Sequence, residues 1–235
     1  LLQVLAGHDP LDAIASMEPV PDYSKALGAP IASLRIGVPR QYFFEALHPD
    51  VAAAVEEAIR QLRGKVRDVR DVVLPRLRAA ENGDYDVELY HYQKPFFDKS
   101  PEWYHPWSQR HLNQMKKVDS VAYIETLKRI RECRRDIRRV FDEVDVLVLP
   151  TMREPAPLIS ETVNESHRRP PSNTSAFNHF GIPALTVPCG FSKEGLPIGL
   201  QIAGPAFHEQ VVLQVAFAHQ RSTDWHRRMP PVARA

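Results

Sequence analysis

The residues best placed to do chemistry lie late in the chain. Asn173, Thr174 and Asn178 stand just before the apolar stretch Ala184-Leu185-Thr186-Val187, so their amides and hydroxyl sit where a buried strand begins and could contact a substrate. The same residue types cap helices and satisfy nearby backbone groups, and that structural role is the commoner one. Histidines offer less. His91, His105 and His111 share an aromatic-rich stretch without ligand spacing, and His208-Glu209 lacks the second histidine that a zinc-protease helix requires. A metal site is therefore not expected. Gly-x-Ser-x-Gly, Gly-x-Gly-x-x-Gly and Walker-type loops do not occur either.

One cluster is electrostatic. Lys128, Arg129, Arg131, Arg134, Arg135, Arg138 and Arg139 face only Glu132 and Asp136 in the same stretch. Such a stripe could hold nucleic acid. The commoner reading is the solvated face of an amphipathic helix, partly neutralised by Glu132 with Arg135 or Asp136 with Arg139. The balance of 30 Lys and Arg against 29 Asp and Glu gives a net charge of +1, which creates no global field for nucleic acid or an anionic membrane. Cys133 and Cys189 lie in unrelated contexts, which fits a reducing, cytoplasmic setting better than a disulfide framework. No apolar run approaches the ~20 residues that cross a bilayer.

The elements that must position these groups follow from hydrophobic periodicity. Leu34–Val38 is a short extended run, and a helix from near Asp50 carries Val51, Val55, Ala58, Ile59 and Leu62 on one stripe until Gly64. Val66–Leu74 is an irregular strand, so the unit is β-α-β and suits a layered α/β fold. Residues 81–117 are aromatic and interrupted by Pro95, Pro101 and Pro106, predicting helical pieces and loops. Tyr85, Tyr90, Tyr92, Trp103 and Trp107 belong to that stretch. A long helix spans Asp119–Val144 with Ile124, Leu127, Ile130, Ile137, Val140 and Phe141 inward, and Val146–Leu149 is a fully buried strand. A short helix ending at Gly181, a strand from Ala184, a turn at Ser192–Gly195, a strand from Ile198 and a helix over Glu209–Thr223 complete the pattern. Leu1–Gly7 looks like the end of a helix, so the chain is expected to begin inside an element.

These segments carry a family resemblance. NTSAFNHFGIPALTVPCGFSKEGLPIGLQIAGPAFHEQVVLQVA, from Asn173, resembles the C-terminal signature region of amidase-signature enzymes; DVLVLPT from Asp145, LRIGVPRQYF from Leu34 and the opening LLQVLAGHDPLDA resemble three further landmarks in the same order. The resemblance implies amide or ester hydrolysis by a Ser, cis-Ser and Lys triad with a Gly-rich oxyanion loop and no metal or organic cofactor. No two glycines and no two serines are adjacent here. The triad is therefore expected upstream of Leu1, and this chain supplies no catalytic residue. It implies one incomplete domain, a layered mixed sheet flanked by helices, with 81–117 a variable insertion. Asn173, Thr174, Phe177 and Asn178 are then candidate walls of the pocket for a small-molecule amide.

Two other functions compete. A glutamine-hydrolysing amidotransferase subunit would carry an acid shortly before Phe177-Asn178, where Pro171 and Ser172 stand. A degenerate amidase-like chain could instead be an interaction module. The expected partners are the other half of the domain or a second copy of the chain, not a membrane, and apolar surface should lie open where that half packs.

Overall fold

Strands with alternating or continuous apolar residues build one five-stranded sheet. The computed structural model describes residues 1–75, 87–163 and 173–229. Tyr85, Pro171 and Ser172, named above, lie outside them. The strands are β1 (Arg35–Val38), β2 (Asp68–Asp71), β3 (Val146–Pro150), β4 (Ala184–Phe191) and β5 (Pro197–Ala203), in the spatial order β2-β1-β3-β5-β4. β1 runs parallel to both β2 and β3, whereas β3–β5 and β5–β4 are antiparallel. The sheet is mixed, as expected. β4 is its last strand, and its register with β5 shifts at a bulge between Pro188 and Gly190.

Helices follow the predicted stripes closely. The first part of the chain holds α1 (Leu2–Leu5), α2 (Tyr23–Ala26), a turn α3 (Arg40–Phe43) and α4 (Pro49–Arg63). Next come α5 (Val87–Phe97), α6 (Pro106–Met115), α7 (Ser120–Glu143), α8 (Ile159–Val163), α9 (Ser175–Phe180) and α10 (Glu209–Gln220). α4 starts where His48 Nδ1 accepts from the Asp50 amide and Pro49 occupies the first turn, and it buries Val51, Val55, Ala58, Ile59 and Leu62. Asp119 caps α7 by accepting from the amides of Val121 and Ala122. Its buried line is Thr126, Ile130, Cys133 and Ile137. Ile124, expected inward, is instead 61% exposed, because two residues turn a helix by about 200° away from Thr126.

The two faces of the sheet close differently. On one, Ile36, Val38, Val146, Val148, Leu200 and Ile202 pack under Val51, Val55 and Ile59 of α4 and Val212 and Val215 of α10. On the other, Leu147, Leu149 and Ala203 lie under Cys133 and Ile137 of α7 and Phe177 and Phe180 of α9. Each such buried aliphatic or aromatic side chain contributes about 1.5–3 kcal/mol. α5 and α6 form their own small cluster of Phe97, Leu112 and Met115 with Tyr90 and Tyr104. The opening segment packs least: Leu1, Leu11 and Ile14 are each more than nine-tenths exposed. α1 ends at Leu5, two residues before Gly7, and buries nothing. Among the described residues no helix is long and apolar enough to cross a membrane.

Candidate functional site

β1 and β3 lie side by side and point the same way, but the chain leaves β1 for α4 on one face and reaches β3 from α7 on the other. Where neighbouring parallel strands send their connections to opposite faces, a crevice opens beyond their carboxyl ends. Tyr42, Thr151 and Arg153 follow these two strands at that end.

After β1 the backbone turns sharply. Tyr42 takes φ 71 and ψ −51, a region that costs a bulky residue of the order of 1–3 kcal/mol. Its amide donates to Glu45 Oε1 at 2.9 Å, and the turn drives Phe43 into the core, 6.0 Å from the Phe177 ring. Tyr42 itself stays outside. After β3, the Thr151 amide donates to the Gly199 carbonyl at 3.0 Å and the His48 amide donates to the Arg153 carbonyl at 2.8 Å, fixing both ends of a short span. The Arg153 guanidinium then lies over the Tyr42 ring, 4.4 Å from its centre.

Asn173 joins the two strand ends. Its side-chain nitrogen donates to the Phe43 carbonyl at 3.0 Å and to the Pro150 carbonyl at 2.8 Å. Its oxygen accepts from Arg153 Nε at 3.2 Å, and its own amide donates to the Thr151 carbonyl. The residue is 1% exposed. Both side-chain donors and the side-chain oxygen thus have partners, one of them the carbonyl of the last residue of α3.

α9 carries the other sequence candidates. Thr174 takes the N-cap position and Asn178 lies four residues on; both are exposed, and that spacing puts them on one face. Ala176, Phe177 and Phe180 point into the core. Gly181 closes the helix at φ 64, and Arg134 Nε of α7 donates to the His179 carbonyl at 3.1 Å beside it. A Cβ at Gly181 would sit 2.9 Å from that Nε. Arg134 therefore clamps α9, whereas the stripe it belongs to was expected to be a solvated face. Asp136 pairs with Arg135 at 3.0 Å and with Arg139 at 3.9 Å.

A second polar patch continues along the same face of the sheet. Thr151 Oγ1 and Thr186 Oγ1 lie 3.1 Å apart across β5. Gly199 makes this possible, since a Cβ there would come 2.6 Å from Thr186 Cγ2 and 2.8 Å from Thr151 Oγ1. Gln201, the next residue on that face, is buried, and its side-chain nitrogen has no hydrogen-bond partner among the described residues.

Sequence reasoning found α9 and Asn173 but not Tyr42, Arg153, Thr151, Thr186 or Gln201. The available signal was position: each of the first three follows a parallel strand within four residues. Burial pushes the Cys189 thiol up to about 12 and raises Cys133 as well, which disfavours the thiolate of each. Among the described residues no three His, Cys, Asp or Glu side chains gather as metal ligands would.

Comparison with known proteins places this architecture. The chain is 35% identical over 263 residues to the A subunit of glutamyl-tRNA(Gln) amidotransferase from Chloroflexus aggregans, covering 100% of this chain and 54% of that protein. The corresponding protein of Roseiflexus castenholzii is 36% identical over 264 residues, covering 99% and 53%. The chain thus spans about half the length of the curated relatives it matches. Among solved structures, 6-aminohexanoate cyclic dimer hydrolase superposes with a TM-score of 0.80 at 24% identity, over 99% of this chain and 54% of its own. A bacterial aryl acylamidase of the amidase-signature enzymes gives a TM-score of 0.80 at 17% identity, over 96% and 51%. At such identities the likeness speaks for the fold. The amidase family model matches residues 1–213, and this chain belongs to the amidase family.

Proposed function

We propose that this chain is the C-terminal half of an amidase domain that hydrolyses a carboxamide C–N bond, with the nucleophilic Ser, the cis-Ser and the Lys supplied by the half that precedes it. The observation that carries this is the family match over residues 1–213 in a chain spanning about half of its relatives, with no adjacent glycines or serines from which to build an oxyanion loop or Ser pair. In this reading the whole chain is part of a single domain, and 81–117 is a variable insertion whose α5 and α6 pack on each other. Its chemistry needs no metal or organic cofactor, and it works in the cytoplasm. The charged face of α7 plays no part in nucleic-acid binding.

The pocket wall is α9 and its approach. Thr174 and Asn178 offer hydroxyl and amide groups to the substrate from the exposed face. Phe177 sets the depth of the wall from beneath, and Asn173 holds it by tying Phe43 and Pro150 together. The test compares the chain alone with the chain joined to its upstream half, using aryl amides and primary carboxamides. The chain alone should show no turnover above background, and the joined protein should turn over. Thr174→Ala and Asn178→Ala in the joined protein should shift KM or substrate preference more than kcat. Turnover by the repurified chain alone, lost on mutating one of its own serines, would sink the proposal.

A second reading rests on sequence similarity. The relatives at 35% and 36% identity are named as amidotransferase A subunits, which favours glutamine as the amide. Pro171 and Ser172, where an acid for the substrate amino group would stand, weigh against it. Ammonia release from glutamine by the joined protein, compared with release from primary amides without an amino group, separates the two.

A further inference from the structure

Arg153 follows β3 by three residues and lies beyond the carboxyl ends of β1 and β3. Three observations concern it. Its guanidinium carbon lies over the Tyr42 ring, 4.4 Å from the centre, and its Nε donates to Asn173 Oδ1, whose amide nitrogen is itself fixed by two backbone carbonyls. The remaining edge of the guanidinium, with both terminal nitrogens, has no carboxylate partner among the described residues; Glu45, the acid nearest Tyr42 in sequence, accepts from the Tyr42 amide. And Tyr42 reaches its stacking position only through a left-handed backbone, which a side chain of its size avoids unless the surroundings impose it.

An arginine held by a ring on one side and a hydrogen bond at Nε is pre-organised. Little rotamer freedom is left to lose on binding, and the free edge presents two parallel N–H groups that match the two oxygens of a carboxylate. A neutral carbonyl could accept from that edge, but only a carboxylate also compensates the charge and matches the fork with two oxygens.

We infer that Arg153 receives a carboxylate of the substrate, so that the amide cleaved belongs to a molecule bearing an acid group a few bonds from the scissile C–N bond. This deepens the proposed hydrolase function and rests on it. Arg153 acts as a binding and specificity residue, while the bond-making steps belong to the Ser and Lys groups of the other half. Tyr42 and Asn173 are positioning residues that act through it.

The test uses the full-length protein and a matched pair of amides, succinamate and butyramide, which differ in carrying or lacking the acid. Arg153→Met should lower kcat/KM for succinamate about 30-fold, mainly through KM, and leave butyramide within about twofold, the range expected for losing hydrogen bonds to a charged group. Arg153→Lys should recover part of the loss, since it keeps the charge and gives up the planar fork. Equal loss on both amides would show that Arg153 merely supports the fold, and no loss on either would also overturn the inference. Should the protein hydrolyse no amide at all, the hydrolase reading fails separately, and calorimetric titration of succinamate still decides. Binding weakened about 30-fold in Arg153→Met upholds the carboxylate site; equal binding, or none to the unmodified protein, refutes it.

Discussion

Two arginines stand at opposite ends of the same pair of strands and are used in opposite ways. At the amino ends of β1 and β3, the Arg35 side chain meets the Asp145 carboxylate with Nη2 at 2.9 Å and Nε at 3.3 Å, while Nη1 donates to the Asp142 carbonyl at 3.0 Å. The Arg35 amide donates to the same carboxylate at 2.6 Å, and the Asp145 amide returns a bond to the Arg35 carbonyl. That end is closed. At the carboxyl ends, Arg153 is held by Tyr42 and Asn173, and its terminal edge meets no carboxylate among the described residues. The difference lies in what surrounds each cation: a carboxylate and a carbonyl complete the first, whereas a ring and an amide orient the second without neutralising it. A site is recognisable here as restraint without charge compensation.

The contrast can be tested by perturbing each end in turn. The largest effect should come from Asn173→Ala, which leaves the Phe43 and Pro150 carbonyls without their donor in a buried place. A loss of about 2–4 kcal/mol is expected for two such groups, read as a lower denaturant midpoint at unchanged slope. A loss under about 1 kcal/mol would mean that water replaces the amide and that the carboxyl end is wetter than described.

Asp145→Asn should come next, at about 1 kcal/mol, because the pair is half-buried and solvent weakens it. Here pH distinguishes the ends. Burial pushes the Asp145 carboxyl up, but the hydrogen bonds and charge of Arg35 outweigh it and hold the group below its ordinary value near 3.8. A carboxyl held low binds fewer protons in the folded chain than in the unfolded one. Its contribution is therefore full above about pH 4 and disappears as pH falls through the native value. Asp145→Asn should flatten the acid limb of the stability curve, and an unchanged limb would show that the pair contributes nothing.

Tyr42→Gly should be smaller and of opposite sign. Removing strain at φ 71 gains of the order of 1–3 kcal/mol, offset by about 1 kcal/mol of glycine backbone entropy and by the lost ring contact, so a net gain near half a kcal/mol is expected by thermal melt. A clear destabilisation would mean that the ring itself holds the turn. Arg153→Met should change stability least, within about 0.5 kcal/mol, because no buried carboxylate depends on it.

Much of this was legible from residue patterns, and the failures are instructive. The β-α-β unit, the buried β3 and the β4–β5 hairpin followed from local periodicity because each element carries its own apolar face. α7 was found with Ile130 and Ile137 inward and Val140 and Phe141 against the core, but Ile124 is exposed and Thr126 is buried in its place, which apolar periodicity alone does not distinguish. The candidate site split the same way. α9 advertises itself by polar residues before a strand. Tyr42 and Arg153 are 111 residues apart, and nothing local marks them; only the parallel pairing of Ile36 with Val146 brings their loops together. Arg134 shows the converse error. Read along its own helix it is one charge among seven, and only the tertiary fold gives it the carbonyl of His179.

Among the described residues the sheet has two outer strands, β2 and β4, and the flank of β4 is the longer one at which it can grow. An edge strand is a template for any extended segment that meets it, in assembly and in aggregation alike. β4 is defended over half its length: Pro188 has no N–H to give, and the bulge that follows bends the strand away from a straight partner. Ala184 to Val187 lacks both defences, and Ala184 and Thr186 are exposed. A strand from elsewhere in the domain can therefore join along that short run in one register, while a second molecule arriving at the other end finds no straight ladder to extend. Specific completion and resistance to indiscriminate polymerisation are both written into one strand.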